Sequence, residues 1–317
     1  MKIIDPHLHL FDLAKGDYQW LKTDNPPHWS DKHIINKNFN LDDLALNAPY
    51  ELAGFVHIEA GFDNEQPWRE IKWLTKVITA TPFSAVAFID ITQPEETFKQ
   101  HLKQLLAYDS VVGCRYILDD NACEILPKPQ VLTNLAILSE HKLSFDIQMP
   151  LDDIQAVNEL TKILTLMPKL QVIINHAGFP VAFNETIKKS DFKTLIAWQN
   201  WQQAINLLSR FDNCCIKCSG WEMTDRHYKS NWQQAVLTHC LLSFGQSRVM
   251  LASNFPLCLF NQSYQDYWRT ILGELSQINS VCSLTKHNAL NLSEPEQLLS
   301  ALCFNNAKKH YKLLLNE

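Results

Sequence analysis

Near the start of the chain, Asp5-Pro6-His7-Leu8-His9-Leu10 places two histidines one residue apart. Side chains on a strand alternate with period two, so both imidazoles fall on one face. Two neutral imidazoles at that separation can hold one divalent metal ion or one polarised substrate group. The competing reading is a pair of core histidines bonded to carbonyls. A lone His-x-His arises by chance on surface strands. Here it heads a repeated layout of strands and helices, which gives it weight.

Other reactive side chains fall at the ends of later apolar runs. His57 and Glu59 repeat the one-residue spacing, and Asp90, Arg115, and Asp146 or Gln148 follow. Next come Asn175-His176-Ala177-Gly178, then Lys217, Ser219 and Trp221, then Ser253-Asn254-Phe255-Pro256. A fixed guanidinium at Arg115 suits a substrate carboxylate or lactone carbonyl, and equally a rim salt bridge. Glu59 reads as a site residue or as a structural partner of Arg115 or Lys217. His176 precedes Ala-Gly, where small residues allow close backbone approach. Asn254 reads as a site residue or as an N-cap. Cys215-x-x-Cys218 matches a redox or zinc spacing, but within a strand an offset of three sends the two thiols to opposite faces.

Eight apolar runs carry these ends: Ile3–Leu10, Leu52–Glu59, Ala85–Ile91, Val111–Ile117, Leu143–Met149, Leu170–His176, Cys214–Ser219 and Arg248–Ser253. Several are nearly continuous, as in strands covered on both faces. Amphipathic helical stretches alternate with them at Pro67–Ala80, Glu95–Leu106, Gln130–Glu140, Ile154–Met167 and Leu195–Leu208. This alternation predicts a parallel (β/α)₈ TIM barrel, with its chemistry at the C-terminal ends of the strands. Residues 1–317 read as one barrel domain, closed by one or two helices in Glu294–Leu315. The long aromatic loop Phe11–Asn40, with Tyr18, Trp20 and Trp29, either caps the site or packs on the rim.

Composition narrows the function classes. The 317 residues are 46% hydrophobic and 20% charged, as in a folded globular chain. A net charge of −6 without a basic run argues against nucleic acid as a partner. No apolar stretch approaches the roughly 20 residues of a membrane span. Met1 runs straight into a strand, so no secretory signal is expected. The nine scattered cysteines read as reduced thiols of a cytoplasmic protein.

The ordered set of motifs resembles the lactonase-like branch of the amidohydrolase superfamily, which includes enzymes similar to L-fuconolactonase, L-rhamnonolactonase, 2-pyrone-4,6-dicarboxylate lactonase and 4-sulfomuconolactone hydrolase. The resemblance is carried by Asp5-Pro6-His7-Leu8-His9-Leu10-Phe11-Asp12, Gly16-Asp17-Tyr18-Gln19-Trp20-Leu21, Val56-His57-Ile58-Glu59-Ala60 and Val112-Gly113-Cys114-Arg115. It continues through Asn175-His176-Ala177-Gly178-Phe179-Pro180, Lys217-Cys218-Ser219-Gly220, Ser253-Asn254-Phe255-Pro256 and Asn306-Ala307. It implies a metal-dependent-hydrolase-like barrel that opens a small lactone from sugar or aromatic-acid catabolism. The alternatives are a metal-dependent decarboxylase or lyase, and a non-catalytic metabolite-binding barrel.

On this resemblance His7, His9, Arg115, His176 and Asn254 are the expected catalytic residues. Trp20, Glu59, Gln148 and Trp221 are expected to bind substrate. Two mechanisms are implied. In one, a divalent ion, zinc by preference, sits on His7, His9 and Glu59. In the other the metal is dispensable, and Arg115 with the histidines forms an electrophilic pocket. The wider superfamily usually carries an Asp on strand eight that commonly serves as base. Here that position is Asn254, a neutral amide that takes no proton at neutral pH. The expected partner is a small lactone or carboxylate; the oligomeric state is left open.

Overall fold

Eight runs of apolar and β-branched residues pair in sequence order because each can be covered on both faces. The computed structural model describes residues 1–182, 192–284 and 295–315. Its strands are β1 (Lys2–Leu8), β2 (Glu51–Ile58), β3 (Phe83–Phe88), β4 (Val111–Ile117), β5 (Ser144–Gln148), β6 (Val172–Ile174), β7 (Cys214–Cys218) and β8 (Val249–Leu251). They form one parallel sheet in the order β1 to β8. The circle closes just past β8, where Leu8 bridges Phe255 in parallel. There the His9 N–H donates to Phe255 O at 2.7 Å and the Asn254 N–H to His7 O at 3.0 Å. This is the expected TIM barrel, in nearly closed form.

The covering helices are α1 (Trp68–Val77), α2 (Glu95–Leu105), α3 (Pro129–Glu140), α4 (Ile154–Leu166), α5 (Phe192–Leu208), α6 (Ser230–Phe244) and α7 (Tyr264–Leu284). The first five match the amphipathic stretches of the sequence within a few residues. Helical turns from Pro295 to His310 close the chain, as expected; Glu294 lies outside the described residues.

Two apolar layers follow from strand alternation. Ile4, Val56, Ile58, Val86, Ile173, Cys215 and Met250 pack together in the barrel, closed below by Ala307, Tyr311 and Leu313. The larger cluster, between strands and helices, holds Ile3, Leu8, Phe55, Ala85, Ile174 and Cys218. Cys215 and Cys218 therefore fall in different layers, and both are free thiols. The Cys-x-x-Cys spacing therefore does not bring its two thiols to one face.

One irregularity matters for the site. Ile4 belongs to the inner layer, so strict alternation would send Pro6 and Leu8 inward. The β1–β2 register shifts between Asp5 and Leu8. A shift of one residue exchanges the two faces. Leu8 is accordingly outside, and His7 and His9 turn inward. Asp5 holds the irregular turn. Its carboxylate accepts from the His7 N–H at 3.1 Å and from Ser253 Oγ at 2.5 Å.

Candidate active site

The strand ends bring three imidazoles together. The His7 ring lies 5.1 Å from that of His9 and 4.6 Å from that of His176, centre to centre. His9 Nδ1 lies 2.7 Å from Ile58 O, which fixes the proton there and leaves a lone pair on Nε2. His176 Nδ1 meets Ser219 Oγ at 3.1 Å. His176 has φ +54° and Asn254 φ +58°, conformations uncommon outside glycine. Gly220 lies against His176, and a Cβ there would come within 2.4 Å of Nδ1. A glycine is therefore required at that turn.

Two cations flank the imidazoles. Arg115, at the end of β4, donates from Nε to Glu59 Oε1 at 2.8 Å, from Nη2 to Glu59 O at 2.7 Å and from Nη1 to Gln148 Oε1 at 3.1 Å. Lys217, on β7, pairs with Asp146 at 2.6 Å, and the Tyr311 hydroxyl donates to the same carboxylate oxygen at 2.7 Å. Burial pushes Lys217 down to about 8, against the opposing pull of Asp146. Burial, then Lys217 and the neighbouring imidazoles, hold His7 well below the usual histidine range. Burial and Arg115 do the same to His9 and His176. All three imidazoles are neutral at pH 7 and weakly basic.

Buried polar atoms without a partner mark where a polar guest belongs. His7 Nδ1 and Nε2, both amide atoms of Asn175, Glu222 Oε2 and Asn254 Oδ1 are of this kind. They come from the ends of β1, β6, β7 and β8. On the other side of the barrel, Glu59, Arg115, Gln148 and Asp119 form a connected chain of hydrogen bonds. The receptive sector is therefore β6 to β1, with Arg115 reaching toward it from across the barrel. A surface cleft of about 410 Å³, lined by Phe11, Phe39, Trp73 and Ile78, includes none of these groups.

Several expected roles change. Glu59 is not placed to bind metal: Oε1 is held by Arg115 and Oε2 accepts from the Gly61 N–H at 3.2 Å. Of its two candidate partners it takes Arg115, while Lys217 takes Asp146. Gln148 braces Arg115. Trp221 is a core residue, 1% exposed and edge-on to Trp232, and its indole N–H is 2.8 Å from the Gln233 amide oxygen that accepts it. It offers no face to a substrate. Trp20 donates to Ala60 O at 2.7 Å and joins the aromatic series Phe11, Trp20, Trp29 and Phe260 on the rim. The long loop thus packs on the rim, and the Arg226–Asp31 pair at 2.8 Å pins it. Asn254 caps nothing with its side chain, which donates to Glu222 Oε1 at 2.6 Å.

Three residues had no expected role. Glu70 on α1 meets His57 Nε2 at 2.9 Å, while His57 Nδ1 accepts from the Leu10 N–H at 3.3 Å. This pair anchors the end of β1 from outside the barrel. Asn175 and Glu222 contribute unpaired atoms. The signal for Glu222 was available: an acid between Trp221 and Met223, just past the Ser219-Gly220 turn.

A resident divalent ion is a poor fit. His9 Nε2 and the His7 nitrogens are suitable donors, yet Glu59 and Asp146 are committed elsewhere and strand eight supplies an amide. Arg115 and Lys217 place positive charge beside the imidazoles. Among the described residues no group of three or more His, Cys, Asp or Glu side chains is disposed to hold a metal.

Comparison with known proteins agrees with this architecture. The chain is similar to the uncharacterised protein y4mH of Sinorhizobium fredii, 29% identical over 281 residues, covering 84% of this chain and 89% of that one. It is 24% identical over 322 residues to an L-rhamnono-gamma-lactonase of Scheffersomyces stipitis, with the same coverage of 84% and 89%. A zinc-bound amidohydrolase from Burkholderia multivorans superposes with a TM-score of 0.73 at 18% identity, over 99% of this chain and 100% of that one. The 5-carboxyvanillate decarboxylase of Sphingomonas paucimobilis has the same fold, with a TM-score of 0.59 at 11% identity over 99% of each chain. A family model for amidohydrolases matches residues 4–313, the barrel almost from end to end. The imidazole cluster, its flanking cations and the barrel that carries them belong to a member of the amidohydrolase family.

Proposed function

We propose that the chain hydrolyses a small lactone. The observation carrying this reading is the arrangement at the strand ends: three imidazoles meet there, and His7, Asn175, Glu222 and Asn254 carry buried polar atoms without a partner. Such a pocket polarises a carbonyl with fixed donors and needs no ion to do so. His7, with both ring nitrogens unpaired, can donate to the carbonyl oxygen. Two N–H bonds of Arg115 remain for the oxygen or for a carboxylate on the substrate. Lactones hydrolyse far more readily than amides, so modest polarisation suffices.

The relative that acts on L-rhamnono-gamma-lactone supports a sugar lactone. The decarboxylase reading shares the fold, but metal-dependent decarboxylation asks for a donor set that Glu59 and Asn254 do not complete. A panel of five- and six-membered sugar lactones and carboxylated pyrones, assayed by acid release with and without EDTA, tests the proposal, with 5-carboxyvanillate as the decarboxylation control. Chelator-insensitive opening of at least one lactone is expected. Carbon dioxide release from the control without lactone opening, or no turnover at all, refutes it.

A further inference from the structure

We propose that Glu222 is the proton acceptor of this site, the carboxylate that strand eight does not provide. The assignment rests on the lactone-opening reading and names the group that reading lacks. Hydrolysis needs a base for water, and among the imidazoles His9 Nδ1 is taken by Ile58 O and His176 Nδ1 by Ser219 Oγ. Glu59 and Asp146 are tied to Arg115 and Lys217.

Glu222 stands apart from these ion pairs. It lies two residues beyond Gly220, which packs on the His176 ring. Its partner Asn254 donates through the main chain to His7 O at 3.0 Å. The pair is thus tied at both ends to the imidazole cluster. Asn254 Nδ2 holds Glu222 Oε1 at 2.6 Å and fixes the carboxylate plane. Glu222 Oε2 and Asn254 Oδ1, on the same two groups, are both buried and both lack a donor. The two acceptors sit on hydrogen-bonded side chains, and a water molecule has the two hydrogens to serve both. Its oxygen lone pairs then point away from them, free to attack.

Burial lifts the Glu222 carboxyl to about 7, opposed by its own backbone N–H, by its hydrogen bond from Asn254 and by the Arg226 guanidinium. Tyr228, Cys258 and Tyr267 are the other titratable groups around it. A base of that strength is matched to neutral pH. In the step, Glu222 takes one proton from water as the water oxygen bonds to the lactone carbonyl carbon, and the carbonyl electron pair moves onto its oxygen. The carbonyl then re-forms and the ring C–O bond breaks. Glu222 returns the proton to the departing ring oxygen. Lactone and water become the hydroxy acid, with no other reactant.

Glu222→Gln keeps the acceptor for Asn254 and removes the base. On the lactone turned over fastest by the wild type, kcat should fall about 10²- to 10⁴-fold with KM little changed. The acid limb of the kcat/KM profile, centred near 7 in the wild type, should disappear. Glu222→Ala should regain activity with added formate, a result a purely structural anchor would not give. A Glu222→Gln enzyme within tenfold of wild type, an acid limb that survives, or a folded Glu222→Ala enzyme deaf to formate overturns the assignment while the lactonase reading stands. A wild type that opens no lactone overturns the reading, and the Glu222 assignment with it.

Discussion

Replacing Glu222 with Gln should make the protein more stable at pH 8 and leave it nearly unchanged at pH 5. Burial raises this carboxyl from 4.5 to about 7 in the folded chain, so the folded state favours the proton. A group raised in this way contributes stability that is fully present below its unfolded value of 4.5. That contribution is lost as pH rises through about 7. Each tenfold change in affinity is worth about 1.4 kcal/mol, so ionising Glu222 in place costs about 3 kcal/mol at pH 8 and under about 1 kcal/mol at pH 5. Glutamine resembles the protonated acid in shape and charge and retains the acceptor for Asn254. It escapes the ionisation cost.

At about 2.1 cal/mol/K of unfolding entropy per residue, about 3 kcal/mol corresponds to a rise of about 5 °C in Tm for a chain of this size. Melting curves of both proteins at pH 5 and pH 8 give the quantity needed, the difference of differences. Asp5, which burial raises to about 6, titrates in both proteins and cancels. A pH-independent offset, or a Glu222→Gln protein that melts below wild type at pH 8, would refute the claim that this carboxylate ionises in a dry site. A gain in stability paired with a loss of turnover is the usual signature of a functional group kept at a structural cost.

Other outcomes follow from the same contacts. His7→Ala with His9→Ala should abolish lactone turnover while far-UV circular dichroism stays that of the wild type, because β1 is held by Ile3, Ile4 and Leu8, all fully buried; loss of the folded spectrum would mark the pair as structural. Arg115→Met should strand Glu59 as a buried unpaired carboxylate and cost about 3–5 kcal/mol in urea unfolding, a loss that Glu59→Gln in the same chain should partly restore. Asn254→Asp places a second carboxyl against Glu222 where the amide now sits 2.6 Å away; the two cannot both ionise, so the acid limb of the kcat/KM profile should move upward by at least one pH unit, and a profile identical to wild type would show that Asn254 and Glu222 are not in contact.

The barrel was legible because its signal is repeated: eight apolar runs alternating with amphipathic helical stretches admit few other architectures. The strand ends were legible for the same reason, since each run ends where polarity returns. Parity along a strand was not fully legible. His7 and His9 do share a face, as their spacing requires, but the face they share is set by the register shift between Asp5 and Leu8. In a regular strand with Ile4 inside, both would have pointed at the helices, where His57 meets Glu70.

Partnership was less legible still, because it depends on which charges meet across the barrel. Glu59, Asp146 and Glu222 are all buried acids on or just beyond strands, and nothing in their local sequence ranks them. The structure does so by neighbours: Arg115 for the first, Lys217 and Tyr311 for the second, a neutral amide for the third. A carboxylate committed to a buried cation is not open to a water molecule. Beside an amide, in the same degree of burial, it becomes a proton acceptor matched to neutral pH. The exchange of Asp for Asn at strand eight, which in sequence looks like the loss of a base, is in the fold the device that lets Glu222 be one. An aspartate at 254 would crowd Glu222 with like charge, and a lysine would pin it as Arg115 pins Glu59. The amide holds Glu222 Oε1 without pairing it to a cation.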